Sequence, residues 1–163
     1  MLDNNFFKTE FSNDPLNAEI CGLMKNVMAI GCGIVDGLEL GQNVKAALVT
    51  QGIAEIKILC EKFSSAGELN SAAGFGDIFL TCASTKSRNN SLGSMIAQGQ
   101  KPSELLSGKK TYEGAVNAKA VEQLATKLQL TLPLCKTVSY ILQNNLAKDE
   151  IKSQIIDAIL GQN

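Results

Sequence analysis

Histidine is absent from the 163 residues, and that absence removes a large part of enzyme chemistry. A Ser–His or Cys–His nucleophile and a histidine-ligated zinc are excluded, so proton transfer must run on Lys, Asp, Glu, Cys or Tyr. The five cysteines (Cys21, Cys32, Cys60, Cys82, Cys135) are odd in number, lie in apolar runs and include no CxxC pair. They read as reduced core thiols, not as a disulfide framework or a metal knuckle. Charge of one sign is also missing: 15 basic residues face 16 acidic ones, net charge -1, with no charged tail or patch. That balance argues against a nucleic-acid partner. The opening MLDNNFFKTE has neither the basic start nor the apolar core of a signal peptide. The longest apolar run, Ile20 to Val35, is short and glycine-marked for a membrane span. The expectation is a cytoplasmic domain with no membrane insertion.

What is present is an ordinary globular composition, 45% apolar and 19% charged. A chain of this length makes one domain, or one and a fragment, and buries roughly 68–70% of its unfolded surface. Its centre is the stretch Ala18 to Gly41, AEICGLMKNVMAIGCGIVDGLELG. Between Ile20 and Val35 the only charge is Lys25, followed by Asn26. Helical phasing sets Cys21, Met24, Met28 and Cys32 along one side and Leu23, Val27, Ile30 and Ile34 over much of the rest. A helix apolar nearly all round belongs in the middle of a domain. Two readings of Lys25 follow. Burial beside a partner would tune its ammonium for proton transfer; alternatively it snorkels to solvent from the helix.

Along the chain, FFKTEF (Phe6–Phe11) alternates weakly and ends at the turn Ser12–Pro15, a short strand signal. Its backbone needs a partner that nothing else in the sequence supplies. Asn43 is expected to cap a second long helix, Val44 to about Phe63, with Ala47, Leu48, Ile53, Ile56 and Leu59 as its apolar set. A short helical piece is expected at Glu68–Ala72, then a tight bend at Gly74-Phe75-Gly76-Asp77 before the apolar run Ile78–Cys82. After the polar window 83–91, short helices are expected at about Leu92–Gln98 and Pro102–Leu106. Three amphipathic helices close the chain, at about Val116–Leu128, Pro133–Leu146 and Asp149–Leu160. Helical periods dominate and the turns are short. The fold class is all-α, a multi-helix bundle with an orphan N-terminal strand.

Three motifs carry chemistry. GCGIVDG (Gly31–Gly37) approaches a dinucleotide fingerprint but has the wrong glycine spacing and no preceding strand, so close helix packing explains it better. There is no Walker loop. Gly74-Phe75-Gly76-Asp77 sets a carboxylate directly after a glycine bend, either to keep a buried lysine charged or to cap the next helix. Ser84 to Ser91 offers hydroxyls, Lys86, Arg88 and two asparagine amides ahead of a helix. Such a segment either binds a phosphate through free N–H groups and a guanidinium fork or is a solvated loop. Together the motifs describe a site of lysine, carboxylate and anion cradle.

These residues, in order, resemble a known family: Glu19 to Val27, GIVDGLELGQNVKAALVTQGIAEI, AGFGDIFLTCAST, Lys86-Ser87-Arg88-Asn89 and Tyr112-Glu113-Gly114. The resemblance, from about Phe6 to Leu160, is to the C-terminal half of bacterial NAD(P)-dependent sn-glycerol-3-phosphate dehydrogenase. It implies a helical fold like the C-terminal domain of 6-phosphogluconate dehydrogenase. It also implies interconversion of dihydroxyacetone phosphate and glycerol 3-phosphate, for glycerophospholipid synthesis. By resemblance, Lys25 is the general acid and Asp77 polarises the site beside it. Ser87, Arg88 and Asn89 bind the substrate phosphate, and Asn26 and Thr81 line the substrate pocket. Arg88, Glu113 and Thr111 reach an NAD or NADP cofactor held mainly by an N-terminal Rossmann domain.

That domain and its GxGxxG loop have no counterpart in this sequence. Residues 1–15 would then be a strand and turn belonging to the Rossmann sheet, with 16–163 the helical substrate domain. Smaller departures are Cys21 in place of a glycine and Lys109-Lys110-Thr111 in place of an apolar pair. The resemblance leaves open a separate Rossmann-domain chain as partner, a homodimer, and a fragment inactive alone. Two other readings stay open: the helical half of a related hydroxyacid dehydrogenase, and a non-catalytic helical interaction module or gene relic.

Overall fold

The computed structural model describes residues 3–6, 9–108 and 110–161. Among them are eight α-helices: α1 (Pro15–Gly37), α2 (Gln42–Lys62), α3 (Asp77–Ala83), α4 (Arg88–Ala97), α5 (Pro102–Leu106), α6 (Glu113–Leu128), α7 (Pro133–Gln143) and α8 (Lys148–Ile159). A single wide helical turn, Ala72–Gly76, precedes α3. The all-α expectation holds.

α1 is the axis of the domain. Pro15 is set for a first helical position, and the Asp14 side chain accepts a hydrogen bond from Asn17 N at 3.0 Å, closing the N-terminus. Its apolar residues Met24, Met28, Ile30 and Ile34 are wholly buried, and α2, α3, α4, α6 and α7 all pack on it. By length and composition α1 could span a membrane, yet 72% of its most apolar window is buried inside the domain. The run is apolar all round because neighbours surround it.

α4 makes the closest approach to α1. A Cβ on Gly33 would fall on the Asn90 backbone, and a Cβ on Gly93 would fall on the Ile30 carbonyl and lie 2.8 Å from Ile34 N. Only glycine lets the two backbones meet at this distance. The near-fingerprint around Gly33 is therefore a packing device, as its spacing indicated. α2 is tied to α7 by Glu55, a wholly buried carboxylate that accepts from Leu134 N at 2.6 Å and Cys135 N at 3.1 Å. All five cysteines are free and buried.

Several boundaries differ from expectation. Phe7 and Lys8 of the expected strand lie outside the described residues. The remainder of that segment is irregular, with Phe6 and Phe11 almost fully exposed; no strand occurs among the described residues. The second helix starts at Gln42 with Gly41 as cap, so Asn43 lies inside it. Residues 65–70 are irregular, and the expected helical piece begins only at Ala72. α4 starts four residues early, at Arg88, because Ser87 caps it by accepting from Asn90 N at 3.5 Å. α6 likewise begins at Glu113, and α7 ends at Gln143 before an extended Asn144.

Candidate active site

Lys25 and Asp77 come together although 52 residues separate them. α1 carries the lysine outward from near the middle of its length. The bend at Gly74, whose φ of -91° and ψ of -108° are not helical, turns the chain so that α3 opens with Asp77 facing α1. Here backbone sterics decide: a Cβ at Gly74 would lie 2.5 Å from the Leu69 carbonyl. Lys25 Nζ donates to Asp77 Oδ2, and the side chains are 24% and 35% exposed. The ammonium is thus neither sealed in the core nor free in solvent. It is paired, with part of its surface open. Asp77 makes no capping bond to its own helix. Thr81, one turn along, donates to the Asp77 carbonyl at 2.7 Å and lies 3.5 Å from Asp77 Oδ1, which steadies the carboxylate.

The Ser87–Asn89 segment is bound into the same region through asparagines. Asn89 Nδ2 donates to Asn26 Oδ1 at 3.0 Å, and Asn89 Oδ1 accepts from Gly114 N at 3.1 Å. Asn26 Nδ2 in turn reaches Gly22 O at 3.2 Å and Glu113 Oε2 at 3.5 Å. Both asparagines are buried, so their amides are committed and rigid. This network sets the first turn of α4 beside the Lys25 turn of α1 and the start of α6. Arg88 projects from it to the surface. Its Nη2 lies 3.9 Å from Glu113 Oε1, with side chains 67% and 65% exposed, and its Nη1 reaches the Thr111 carbonyl at 3.5 Å. Thr111 therefore contributes its backbone here, and its side chain is exposed.

Every candidate residue falls in one connected region: Lys25, Asp77 and Thr81 on one side, Asn26 and Asn89 as the bridge, Ser87, Arg88, Thr111 and Glu113 on the rim. The arrangement offers a proton donor held by a carboxylate, a helix N-terminus with its positive dipole end, and an exposed guanidinium loosely paired with Glu113. Three residues went unnoticed in the sequence. Asp36, Lys45 and Asn90 form a cluster behind the anion segment, and no local pattern marks it.

The helical domain, with its lysine–carboxylate pair beside a helix N-terminus, can be set against known proteins. Residues 14–153 match the family described as NAD-dependent glycerol-3-phosphate dehydrogenase C-terminus, and the chain belongs to that family. It is 36% identical over 159 residues to the glycerol-3-phosphate dehydrogenase [NAD(P)+] of Ehrlichia canis, covering 95% of this chain and 49% of that protein. Against the enzyme of the same name from Wolbachia pipientis the identity is 39%, over 95% of this chain and 50% of the relative. The crystal structure of glycerol-3-phosphate dehydrogenase from Coxiella burnetii superposes with a TM-score of 0.87 at 34% identity, covering 96% of this chain and 49% of that one. The Saccharomyces cerevisiae enzyme gives 0.82 at 28% identity, covering 94% and 46%. The chain thus spans about half the length of the relatives it matches. Family membership displaces the related hydroxyacid dehydrogenase reading.

Proposed function

We propose that this chain is the substrate-binding and catalytic domain of an NAD(P)-dependent glycerol-3-phosphate dehydrogenase, acting on dihydroxyacetone phosphate and sn-glycerol 3-phosphate in the cytoplasm and serving glycerophospholipid synthesis. The observation that carries the proposal is the partly open Lys25–Asp77 pair joined, through Asn26–Asn89, to an arginine-bearing helix N-terminus. In this reading the substrate phosphate lies at the first turn of α4. Ser87, Arg88 and Asn89 bind it, and the carbonyl points at Lys25. Asn26 and Thr81 line the space between.

The dinucleotide, when bound, supplies the hydride. Lys25 Nζ donates a proton to the carbonyl oxygen as it becomes an alkoxide, and takes that proton back in the reverse direction. Asp77 holds the ammonium in place between turnovers. The residues present fit the cofactor only at its edge. Arg88, Glu113 and the Thr111 carbonyl form an exposed charged rim, while no glycine-rich phosphate loop follows a strand among the described residues. A nucleotide-binding domain, in the same polypeptide or as a separate chain, must therefore complete the site, and residues 16–163 alone bind substrate without turnover. Asp14 and Pro15, expected to go with that domain's sheet, open α1; in this reading the segment ahead of Asp14 belongs to the sheet. The almost complete exposure of Phe6 and Phe11 supports this. A homodimer is compatible with the arrangement.

The test is reconstitution. The chain would be assayed for oxidation of NADH or NADPH by dihydroxyacetone phosphate, alone and mixed with the nucleotide-binding half of a bacterial relative. Activity is expected only on mixing, and Lys25→Ala should lower it by about 10²–10⁴-fold. Turnover by the chain alone would refute the division of labour. A folded chain that binds no glycerol 3-phosphate and complements nothing would favour the interaction-module reading.

A further inference from the structure

Behind the anion segment lies a polar cluster that no step above uses. Asp36 Oδ2, at the end of α1, accepts from Lys45 Nζ at 2.7 Å and from Asn90 Nδ2 at 3.2 Å. Lys45 comes from the first turn of α2, and Asn90 is the third residue of α4. The three are largely withdrawn from water: Asn90 is 3% exposed, and the Lys45 and Asp36 side chains are 13% and 25% exposed. A pair this withdrawn gains little net stability over apolar packing, so its geometric specificity is the more informative property.

That geometry acts on one turn. The glycine contacts of α4 with α1 run from Asn90 toward the C-terminus: Asn90 backbone on Gly33, Gly93 on Ile30, and Ser94 and Ala97 on Gly37. They fix the distance between the helices but say little about how the turn ahead of Asn90 is rotated. Rotation is set by side chains. Asn89 reaches Asn26 and Gly114, while Asn90 reaches Asp36. Consecutive helical residues point about 100° apart, so two neighbours tied to two different elements leave the turn no freedom to roll. Arg88 then leaves the turn on its outer side, over Glu113 and Thr111. Ser87, as N-cap, is held by the Asn90 amide itself.

We propose that Asp36, Lys45 and Asn90 form a positioning triad that fixes the rotation of the first turn of α4, and so orients the Ser87–Asn89 segment toward a phosphate-bearing ligand. The phosphate role rests on the function proposed above; the positioning role does not. Lys45 contributes by pinning Asp36: without it the carboxylate keeps one partner and can swing toward solvent. None of the three touches the ligand.

Two readouts on the whole chain separate these claims. The first is amide hydrogen exchange followed by NMR, without ligand. The reporters are Ser91 N, which donates to Ser87 O at 2.9 Å, and Gly114 N, which donates to Asn89 Oδ1. In Lys45→Met and Asn90→Ala both should exchange at least tenfold faster, while core amides of α2 and α7 change only as far as global stability does. Lys45→Arg should restore slow exchange. A uniform change across the protein, or none at the reporters, would overturn the proposal. The second readout is titration with glycerol 3-phosphate. Local loosening together with at least fivefold weaker binding supports both the triad and the ligand. Local loosening in a chain that binds no glycerol 3-phosphate even as wild type supports the triad and removes the ligand. Local loosening with unchanged affinity overturns the claim that this rotation serves binding.

Discussion

Glu55 offers the sharpest test of how the helices are joined, because its effect can be worked from three bonds. The carboxylate is wholly buried between α2 and α7 and accepts from Leu134 N at 2.6 Å, Cys135 N at 3.1 Å and Gln51 Nε2 at 3.1 Å. The two backbone donors belong to the first turn of α7, which has no capping side chain of its own. Glu55→Ala strands both in the interior at about 1–3 kcal/mol each, and leaves a cavity besides. Removing a desolvated carboxylate returns part of that cost. The expected loss is about 3 kcal/mol, a large share of the ~5–15 kcal/mol typical of a domain. Glu55→Gln keeps the volume and one acceptor but turns an NH₂ toward a donor, for a loss of about 1–2 kcal/mol.

The pH dependence of the Glu55 contribution has a definite sign. Burial pushes the Glu55 carboxyl above its ordinary value, outweighing the N–H donors that favour the charged form. The folded state therefore holds this proton more tightly than the unfolded chain. Its contribution is fully present below the unfolded value, near pH ~4.3, and is lost as pH rises through the raised folded value. The wild-type advantage over Glu55→Gln, which has no such proton, should narrow as pH rises through that window. Urea denaturation followed by far-UV circular dichroism, across that pH range and with an unchanged m-value, measures both quantities. A Glu55→Ala loss under about 0.5 kcal/mol, or an advantage that widens with rising pH, would refute the argument.

Three further outcomes are expected. Gly93→Ala should cost about 3 kcal/mol or more, since its Cβ meets α1 backbone, whereas Gly22→Ala, with nothing within 4 Å of its Cβ, should be neutral or gain up to about 1 kcal/mol; thermal melts of both decide it. Arg88→Ala should change stability by less than about 0.5 kcal/mol, because its pairing with Glu113 is long and exposed, yet weaken glycerol 3-phosphate at least tenfold by calorimetry. The thiols should resist a disulfide reagent at about pH 8 until the chain unfolds: burial pushes Cys21 up to about 11, leaving on the order of one part in 10³ as thiolate. Rapid native labelling of Cys21 would count against that burial.

What could be read from the sequence and what could not divide along sequence separation. α1 was legible because its signal is local, sixteen nearly uninterrupted apolar or small residues, although Pro15, where it starts, reads as part of a turn. The Lys25–Asp77 pair was legible by a different route. A lone charge in an apolar run demands a partner, and a carboxylate after two glycines is where the chain can turn sharply enough to provide one. The start of α4 was not legible. Ser84, Ser87 and Ser91 all have the chemistry of an N-cap, and a polar window carries no hydrophobic phase to choose among them. Ser87 is selected from behind, by glycine contacts and the Asn90–Asp36 bond, whose partners lie 54 residues apart.

Glu55 shows the same limit from the apolar side. Periodicity marked Leu48, Ile56 and Leu59 as the inner face of α2, and all three are buried. A carboxylate on that face contradicts the pattern unless a helix N-terminus meets it, and that helix begins 78 residues later, at Pro133. Both surprises, Asn90–Asp36 and Glu55–α7, are buried polar groups satisfied by distant backbone or amide partners, and periodicity carries no signal for such pairings. They also share a consequence. Apolar packing tolerates small slides between helices, whereas a bond to a particular N–H or amide does not. The fold is specified by its apolar stripes, and the placement of the rim that carries Arg88, Asn89 and Glu113 by these few polar ties. A substitution in the stripes should therefore act first on stability, and one in the ties first on the rim.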